Sequence, residues 1–331
     1  MEKFFITGST GFLGQNLLEH LKGRPVKLYL GIREHQPEMD PHLDVELVPY
    51  DQLDQLTLGP EFSVIHLAAR AHRMRDTAAD PKTAFMEANR DFTLRLAEKA
   101  VREGAKKFVF ISSVKVMGDR AGFYKIGDIP RPTDFYGQSK YEAELGLARI
   151  FAHGQTEGTI LRLPMVYGPG AKGNVLTLLQ AASRGLTLPL RGTRGYRSML
   201  FVGNFLSALD AILARSPKSG TQLGTYFLND CDDLTSAEVY SMLYRGMHKR
   251  GDGLVWLPEP AMRLMGAIGG ALQWITRLPM PVNPAVVSRL FDEFRFDADP
   301  FLEDYDWRPP FSPKEGLEAT QRWYGDDADM I

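Results

Sequence analysis

The 331-residue chain holds a single cysteine, Cys231, so it has no internal disulfide framework and no cysteine cluster for a metal. Such a chain suits a reducing compartment, and a cytoplasmic location is expected. An excess of one charge is lacking too. The formal net charge of -2 offers no global attraction for nucleic acid or an anionic membrane. Long hydrophobic runs are missing. The most apolar stretch, residues 257–278, has 13 uncharged residues between Arg263 and Arg277, short of the roughly 20 that span a bilayer. It reads as a buried or groove-lining helix, or else as an amphipathic helix on a membrane surface. No repeat or low-complexity segment interrupts the chain. Its first residues run through an apolar strand to a glycine turn at Gly8, which fits no signal peptide.

What is present is ordinary in amount: 44% hydrophobic and 24% charged residues, enough for a substantial core. The length predicts one large or two interleaved domains. Apolar strands are expected at residues 3–7, 26–32, 45–48, 63–69, 107–112 and 159–165, with helices between them, one over 82–103. That alternation predicts an α/β fold with a parallel, doubly wound sheet and right-handed crossovers. After Tyr167 the rhythm changes to a helix at 175–183, a basic loop at 191–197, a strand at 198–202 and a helix from Asn204. A further strand at 225–228 and a helix at 236–247 lead into a helical, proline-punctuated end. Residues 1–165 are expected to form a nucleotide-binding domain with returning segments at 198–228. Residues 166–197 and 229–331 would form a smaller, mostly helical substrate domain.

Chemistry concentrates at a few places. Gly8, Gly11 and Gly14 lie between the first strand and the first helix. There they permit a tight turn, a close backbone approach to a diphosphate, and a helix N-terminus facing its charge. The second strand ends Gly31-Ile32-Arg33 without a carboxylate at its tip, and an arginine there suits the 2'-phosphate of NADP better than the 2'-hydroxyl of NAD. Asp51, after the third strand, is placed to meet an adenine amino group. Leu67, Ala68 and Ala69 leave space for a ligand at the end of the fourth. His66, inside that apolar run, reads as a packed core histidine. Tyr136 and Lys140 are four apart, so on a helix they address one point, where a cation lowers the phenol pKa and makes an acid/base. Arg191, Arg194 and Arg197 read as a solvated loop or as a diphosphate clamp.

Together, Gly8-x-x-Gly11-x-x-Gly14, Leu67-Ala-Ala69, Phe110-Ile-Ser-Ser113, Tyr136-x-x-x-Lys140 and Val166-Tyr-Gly-Pro-Gly170 resemble the extended short-chain dehydrogenase/reductases. Within these the chain is most similar to the nucleotide-sugar epimerase/dehydratase/reductase group. The resemblance implies a Rossmann sheet, NAD or NADP, a UDP-sugar substrate and a homodimer. It implies Tyr136 as acid/base at the sugar O4, Lys140 on the cofactor ribose, and Ser113, counted back from Gly118, on the same oxygen. It adds Thr10, Phe12, Leu13, Gln52, Asn89, Pro164 and Val166 as cofactor contacts. Arg73, Lys115, Asn174 and Arg197 are implied as substrate contacts, and no residue as a metal ligand.

Related 4,6-dehydratases carry an Asp-Glu pair after the catalytic hydroxyl. Here Val114 and Lys115 stand there, which argues against dehydration. Met117 and Gly203 also depart from the usual pattern. Residues 74–81, Ser113-Val-Lys-Val and Lys172-Gly-Asn174 look closest to the subgroup that reduces a 4-keto UDP-N-acetyl-6-deoxyhexose for polysaccharide and O-antigen precursors. That reduction is the favoured expectation. A UDP-hexose 4-epimerase, a sterol-type hydroxy-dehydrogenase and a non-catalytic NADP sensor are the alternatives.

Overall fold

A computed structural model of the chain describes residues 1–33, 40–59, 61–70, 80–152, 155–248, 250–276, 280 and 282–328. In chain order the first strands are β1 (Glu2–Thr7), β2 (Val26–Ile32), β3 (Asp44–Pro49), β4 (Phe62–His66), β5 (Lys107–Ser113) and β6 (Gly122–Tyr124). They are followed by β7 (Glu157–Leu163), β8 (Met165–Tyr167), β9 (Tyr196–Arg197), β10 (Met199–Phe201) and β11 (Leu223–Phe227). Seven of them form one sheet in the order β11-β7-β5-β4-β1-β2-β3, every pair parallel. The inner strands are apolar on both faces because helices cover both. On one side Leu17 and Leu21 of α1 (Phe12–Leu21) and Phe205, Leu209 and Ile212 from the second half of the chain pack against it. On the other are Leu96, Ala97, Ala143, Leu147 and Phe151. The strand order reverses between β1 and β4, which opens a crevice at their C-terminal ends, the usual ligand position in such sheets.

Three expectations about elements change. Strand β4 stops at His66, so Leu67 to Ala69 lie beyond it. The strand expected over 159–165 is split: Pro164 ends β7, and β8 pairs with β10 in a separate two-stranded sheet. The helix expected over 82–103 is three pieces, α2 (Pro81–Met86), a π turn (Glu87–Asp91) and α3 (Phe92–Arg102). The wider π turn carries Asn89 into full burial.

The remaining helices are α4 (Phe135–Phe151), α5 (Asn174–Ser183), α6 (Val202–Ala214), α7 (Ser236–Met247), α8 (Glu259–Thr276), α9 (Pro284–Phe291), α10 (Asp299–Tyr305) and α11 (Pro313–Ala328). Strands β12 (Leu234–Thr235) and β13 (Phe294–Phe296) join β9 and β6 in a four-stranded sheet ordered β12-β9-β13-β6. Early and late chain thus interleave beside the crevice.

The buried reading of residues 257–278 does not hold. Leu264, Met265, Ile268, Leu272, Trp274 and Ile275 of α8 are all exposed. The face turned to α9 carries glycine instead, since a Cβ on Gly269 would lie 1.9 Å from the Val282 carbonyl oxygen. Among the described residues no helix is long and apolar enough to cross a membrane.

Candidate active site

The chain leaves β1 at Thr7 and turns at Gly8, φ +78, where a Cβ would stand 2.6 Å from the Ala68 amide nitrogen. Only glycine is relaxed there. A Cβ on Gly14 would be 2.2 Å from the Gly8 carbonyl oxygen, so α1 meets the turn backbone to backbone. Gly11 caps α1 without a side-chain hydrogen bond, and the first turn holds no acid. The first amides of α1, at Phe12 and Leu13, therefore lie at the positive end of an uncapped helix. Ser9 Oγ is the one buried side-chain polar atom without a hydrogen-bond partner among the described residues. An orphaned hydroxyl, a glycine cradle and an uncapped helix start fit a dinucleotide diphosphate. Ser9 escaped the sequence reading; its signal is its place between two of the glycines.

Around this turn, Thr10 is exposed and the Ala68 amide donates to Thr7 Oγ1 at 3.3 Å. Pro164 is buried and Val166 half-buried, past the end of β7. Of the residues expected near the adenosine, Arg33 is exposed after β2, and Asp51 and Gln52 are exposed in a short 3-10 turn after β3. Sequence reasoning missed Tyr50 in the same turn. Its ring fills the space a side chain on Gly31 would need, 2.7 Å from a Cβ there, and it packs 4.4 Å from the Phe92 ring. Burial raises its phenol pKa, against which the Gly8 amide and the Arg33 charge act. The signal was Gly31 itself, since a glycine inside an apolar strand marks a close approach.

Ser113 ends β5, and Tyr136 stands in the first turn of α4. Two features press these elements together. Asp134 caps α4, accepting from the Gly137 amide at 2.7 Å. Gly137 in turn lets the helix touch the loop after Ser113, for a Cβ there would be 2.5 Å from the Lys115 carbonyl oxygen. The Tyr136 ring is half-buried, with Phe85 6.4 Å away edge-on, beside a groove of about 400 Å³. Burial pushes its phenol up to about 12, and a hydrogen bond with Ser113 works the other way. Ser112 differs from its neighbour: its hydroxyl donates to Glu144 at 2.5 Å, and Arg162 grips that carboxylate at 2.7 Å, both charges buried.

Lys140 lies one turn beyond Tyr136, 1% exposed. Its ammonium donates to the Ile111 carbonyl at 2.7 Å and sits 4.4 Å from the centre of the Phe110 ring. Burial pushes the lysine down to about 7, with Glu144 opposing. The expected priming of the phenol by this cation is not met in this geometry. The lysine faces a backbone carbonyl, and burial dominates both groups.

A buried relay runs beneath the crevice. Thr7 Oγ1 meets His66 Nδ1 at 2.6 Å, His66 Nε2 meets Thr93 Oγ1 at 2.8 Å, and Thr93 donates to the Asn89 carbonyl at 2.6 Å. Asn89 Nδ2 donates to Ser139 Oγ at 2.9 Å, and Ser139 donates to the Tyr136 carbonyl at 2.8 Å. The other side-chain proton of Asn89 goes to the Arg70 carbonyl, and its Oδ1 accepts from the Arg70 amide at 2.7 Å. Both amide protons are taken. Asn89, expected as a cofactor contact, thus has its side chain engaged by the Arg70 backbone and Ser139. His66 is a core histidine, held neutral by burial well below its usual pKa.

On the substrate side, the Arg197 guanidinium donates to the Arg289 carbonyl at 2.5 Å and 3.2 Å. Burial lowers its pKa, and the Arg289 charge lowers it further. Arg289 is a third residue that the sequence reading missed, because 92 positions separate it from Arg197. Asn174 is exposed at the start of α5. The Lys115 ammonium is taken up by Asp119 at 2.6 Å and Asp134 at 3.7 Å. That pairing ties the loop to α4 and departs from the substrate contact expected of it. Arg73 and residues 71–79 lie outside the described residues.

A parallel sheet with a glycine turn at its switch point and a Ser-Tyr-Lys set beside it defines a nicotinamide-dependent enzyme class. The family model for the NAD dependent epimerase/dehydratase family matches residues 4–224, and the chain belongs to that family. Over 328 residues it is 31% identical to a UDP-glucose 4-epimerase of Vibrio cholerae, covering 96% of this chain and 94% of that protein. It is 26% identical over 326 residues to an N-acetyl-alpha-D-glucosaminyl-diphospho-ditrans,octacis-undecaprenol 4-epimerase of Escherichia coli O157:H7, covering 97% and 95%. Its fold is similar to that of a dTDP-glucose 4,6-dehydratase of Bacillus anthracis solved with NAD, with a TM-score of 0.73, 17% identity, and 99% and 98% of the two chains covered.

Proposed function

We infer that this enzyme inverts C4 of a hexose carried on a diphosphate, with a UDP-hexose as the soluble form of its substrate. The observation that carries the reading is the meeting of Ser113, at the C-terminal end of β5, with Tyr136 in the first turn of α4, a single acid/base with a hydroxyl beside it. Val114 and Lys115 follow it, so no second acid and base is there to eliminate water. Two relatives matched over nearly their whole length are named as 4-epimerases, which moves the balance from reduction to epimerisation.

In this reading Tyr136 takes the O4 proton and later returns it, while Ser113 holds O4 in place. A bound NAD or NADP would supply the hydride acceptor and donor at C4. Lys140, with a pKa near 7, is close to proton balance at neutral pH. Its charge, drawn to the cofactor ribose, would favour the phenolate. Arg197 and Arg289 meet the diphosphate, for which forked donors are suited. The glycine turn, Ser9 and the first amides of α1 hold the cofactor diphosphate. Residues 166–197 and 229–331 serve as the substrate-carrying part.

A reductase using NADPH is the second reading, favoured by Arg33, which offers an exposed guanidinium where a 2'-phosphate would sit. One assay separates the two. Incubation with UDP-glucose, UDP-galactose and their N-acetylamino forms should interconvert each C4 pair with no net change in nicotinamide absorbance. Steady NADPH oxidation on a 4-keto UDP-sugar, without interconversion, would favour reduction. No reaction on any of them would remove both readings.

A further inference from the structure

The outer face of α8 has an unusual construction. From Leu264 to Thr276 there is no charged residue. Leu264, Ile268, Leu272 and Ile275 recur at helical spacing on one exposed stripe, with Met265 at its margin. Trp274 is 77% exposed and Trp256, just before the helix, 65%. The inner side is built from Gly266, Gly269 and Gly270, where a Cβ would strike Val287, Val282 or Pro284. Apart from the buried Met262, the large apolar side chains of the helix are thus collected outside, a pattern that marks an interaction surface.

What lies beside the stripe narrows its partner. Trp256 borders the basic loop, its Nε1 3.6 Å from where a Cβ on Gly192 would be. Arg263 lies 5.7 Å from the Phe291 ring of α9, and it shares Glu259 with Arg194, which is 80% exposed. In the same loop, a Cβ on Gly195 would press on the carbonyls of Arg289, Leu290 and Asp292. Trp256 and Arg263 thus stand at the N-terminal end of the stripe, next to the basic loop that leads to Arg197. Aliphatic surface flanked by Trp and Arg matches the layered chemistry of an anionic bilayer interface.

We propose that α8 lies in the surface of an anionic lipid bilayer and that the C4 site serves a sugar whose diphosphate is esterified to a membrane-embedded polyprenyl chain. This rests on the C4 reading above and names the group beyond the diphosphate. The helix, about 27 Å long, is suited to lying in the interface plane with its stripe in the acyl boundary. The arginines then stand at headgroup level, where a lipid-borne diphosphate would be found.

The test uses the full chain and vesicles of phosphatidylethanolamine with phosphatidylglycerol. Wild type should sediment with them, and the double variant I268E/L272E, altered only on the exposed stripe, should lose at least about tenfold in partitioning. Both proteins should unfold at the same temperature and turn over soluble UDP-hexoses equally. The variant should fall behind on polyprenyl-diphosphate-linked N-acetylglucosamine presented in the vesicles. The proposal is overturned if wild type stays in the supernatant or if both proteins sediment alike. It is equally overturned if wild type is a dimer indifferent to vesicles that the variant breaks into monomers, for then a second copy covers the stripe. Vesicle binding without C4 exchange on any sugar diphosphate would sink the function reading and leave the docking surface standing.

Discussion

The crevice beneath Tyr136 and the helix pair α8–α9 solve opposite problems. At the crevice, polar groups are inside and linked: Thr7, His66, Thr93, Asn89 and Ser139 form one chain of hydrogen bonds to the backbone of the reacting tyrosine. At α8 the inside is glycine with one methionine, Met262, and the outside is leucine, isoleucine and tryptophan. A buried polar chain costs stability unless every member is satisfied, so it is kept where one geometry must be held. An exposed apolar stripe costs solubility, so it is kept where something else is to be touched. In the reading proposed above, the sheet domain positions the reacting groups, while the C-terminal part offers the surface on which the enzyme would dock.

The largest expected effect tests the first half of that contrast. Tyr136→Phe keeps the ring against Phe85 and removes the acid/base, so C4 exchange should drop by at least about 10²–10⁴-fold with unchanged thermal stability. Unchanged turnover would remove the proposed mechanism. Glu144→Ala, next in size, strands the buried Arg162 charge and Ser112 hydroxyl and should cost about 3–5 kcal/mol in urea unfolding. The crevice should loosen with it.

A pH series sharpens the comparison further. The folded pKa of Lys140, about 7, lies below its ordinary 10.5. Between those values the unfolded chain binds more protons, so stability should rise with pH across that window by a few kcal/mol. Below pH 7 the cost of the buried lysine is felt in full. In Lys140→Met that rise should flatten, measured in cofactor-free protein by urea midpoints. The smallest effect belongs to α8. Gly269→Ala should cost about 1–3 kcal/mol by forcing α8 off the Val282 carbonyl. Ile268→Ala, on the exposed stripe one residue away, should stay within about 0.5 kcal/mol. If the two cost the same, the inside and outside of this helix have been assigned wrongly.

Much of the crevice was legible because local spacing encodes it. Gly8, Gly11 and Gly14 announce a turn into a helix, and Tyr136 and Lys140 share a helix face by periodicity alone. Where the reading failed, the cause was three-dimensional. Asn89 looks like any polar residue in a predicted helix, and only the π turn reveals that Arg70 and Ser139 consume its amide. The sequence also could not show that the Lys140 ammonium is buried and donates to the carbonyl of Ile111, on a strand 29 residues upstream. Arg289 could not be joined to Arg197 without the fold that brings α9 to β9.

The amino-acid order by itself determined a parallel nucleotide-binding sheet, the glycine turn and the Ser113, Tyr136 and Lys140 set, since strand alternation and i, i+4 spacing are properties of a few consecutive residues. Tertiary structure alone decided which side of α8 is outside, which polar groups are already committed, and how burial shifts Tyr136 and Lys140. Those depend on what distant segments leave exposed or desolvated, and residues 266–270 carry no mark of it until α9 is laid against them.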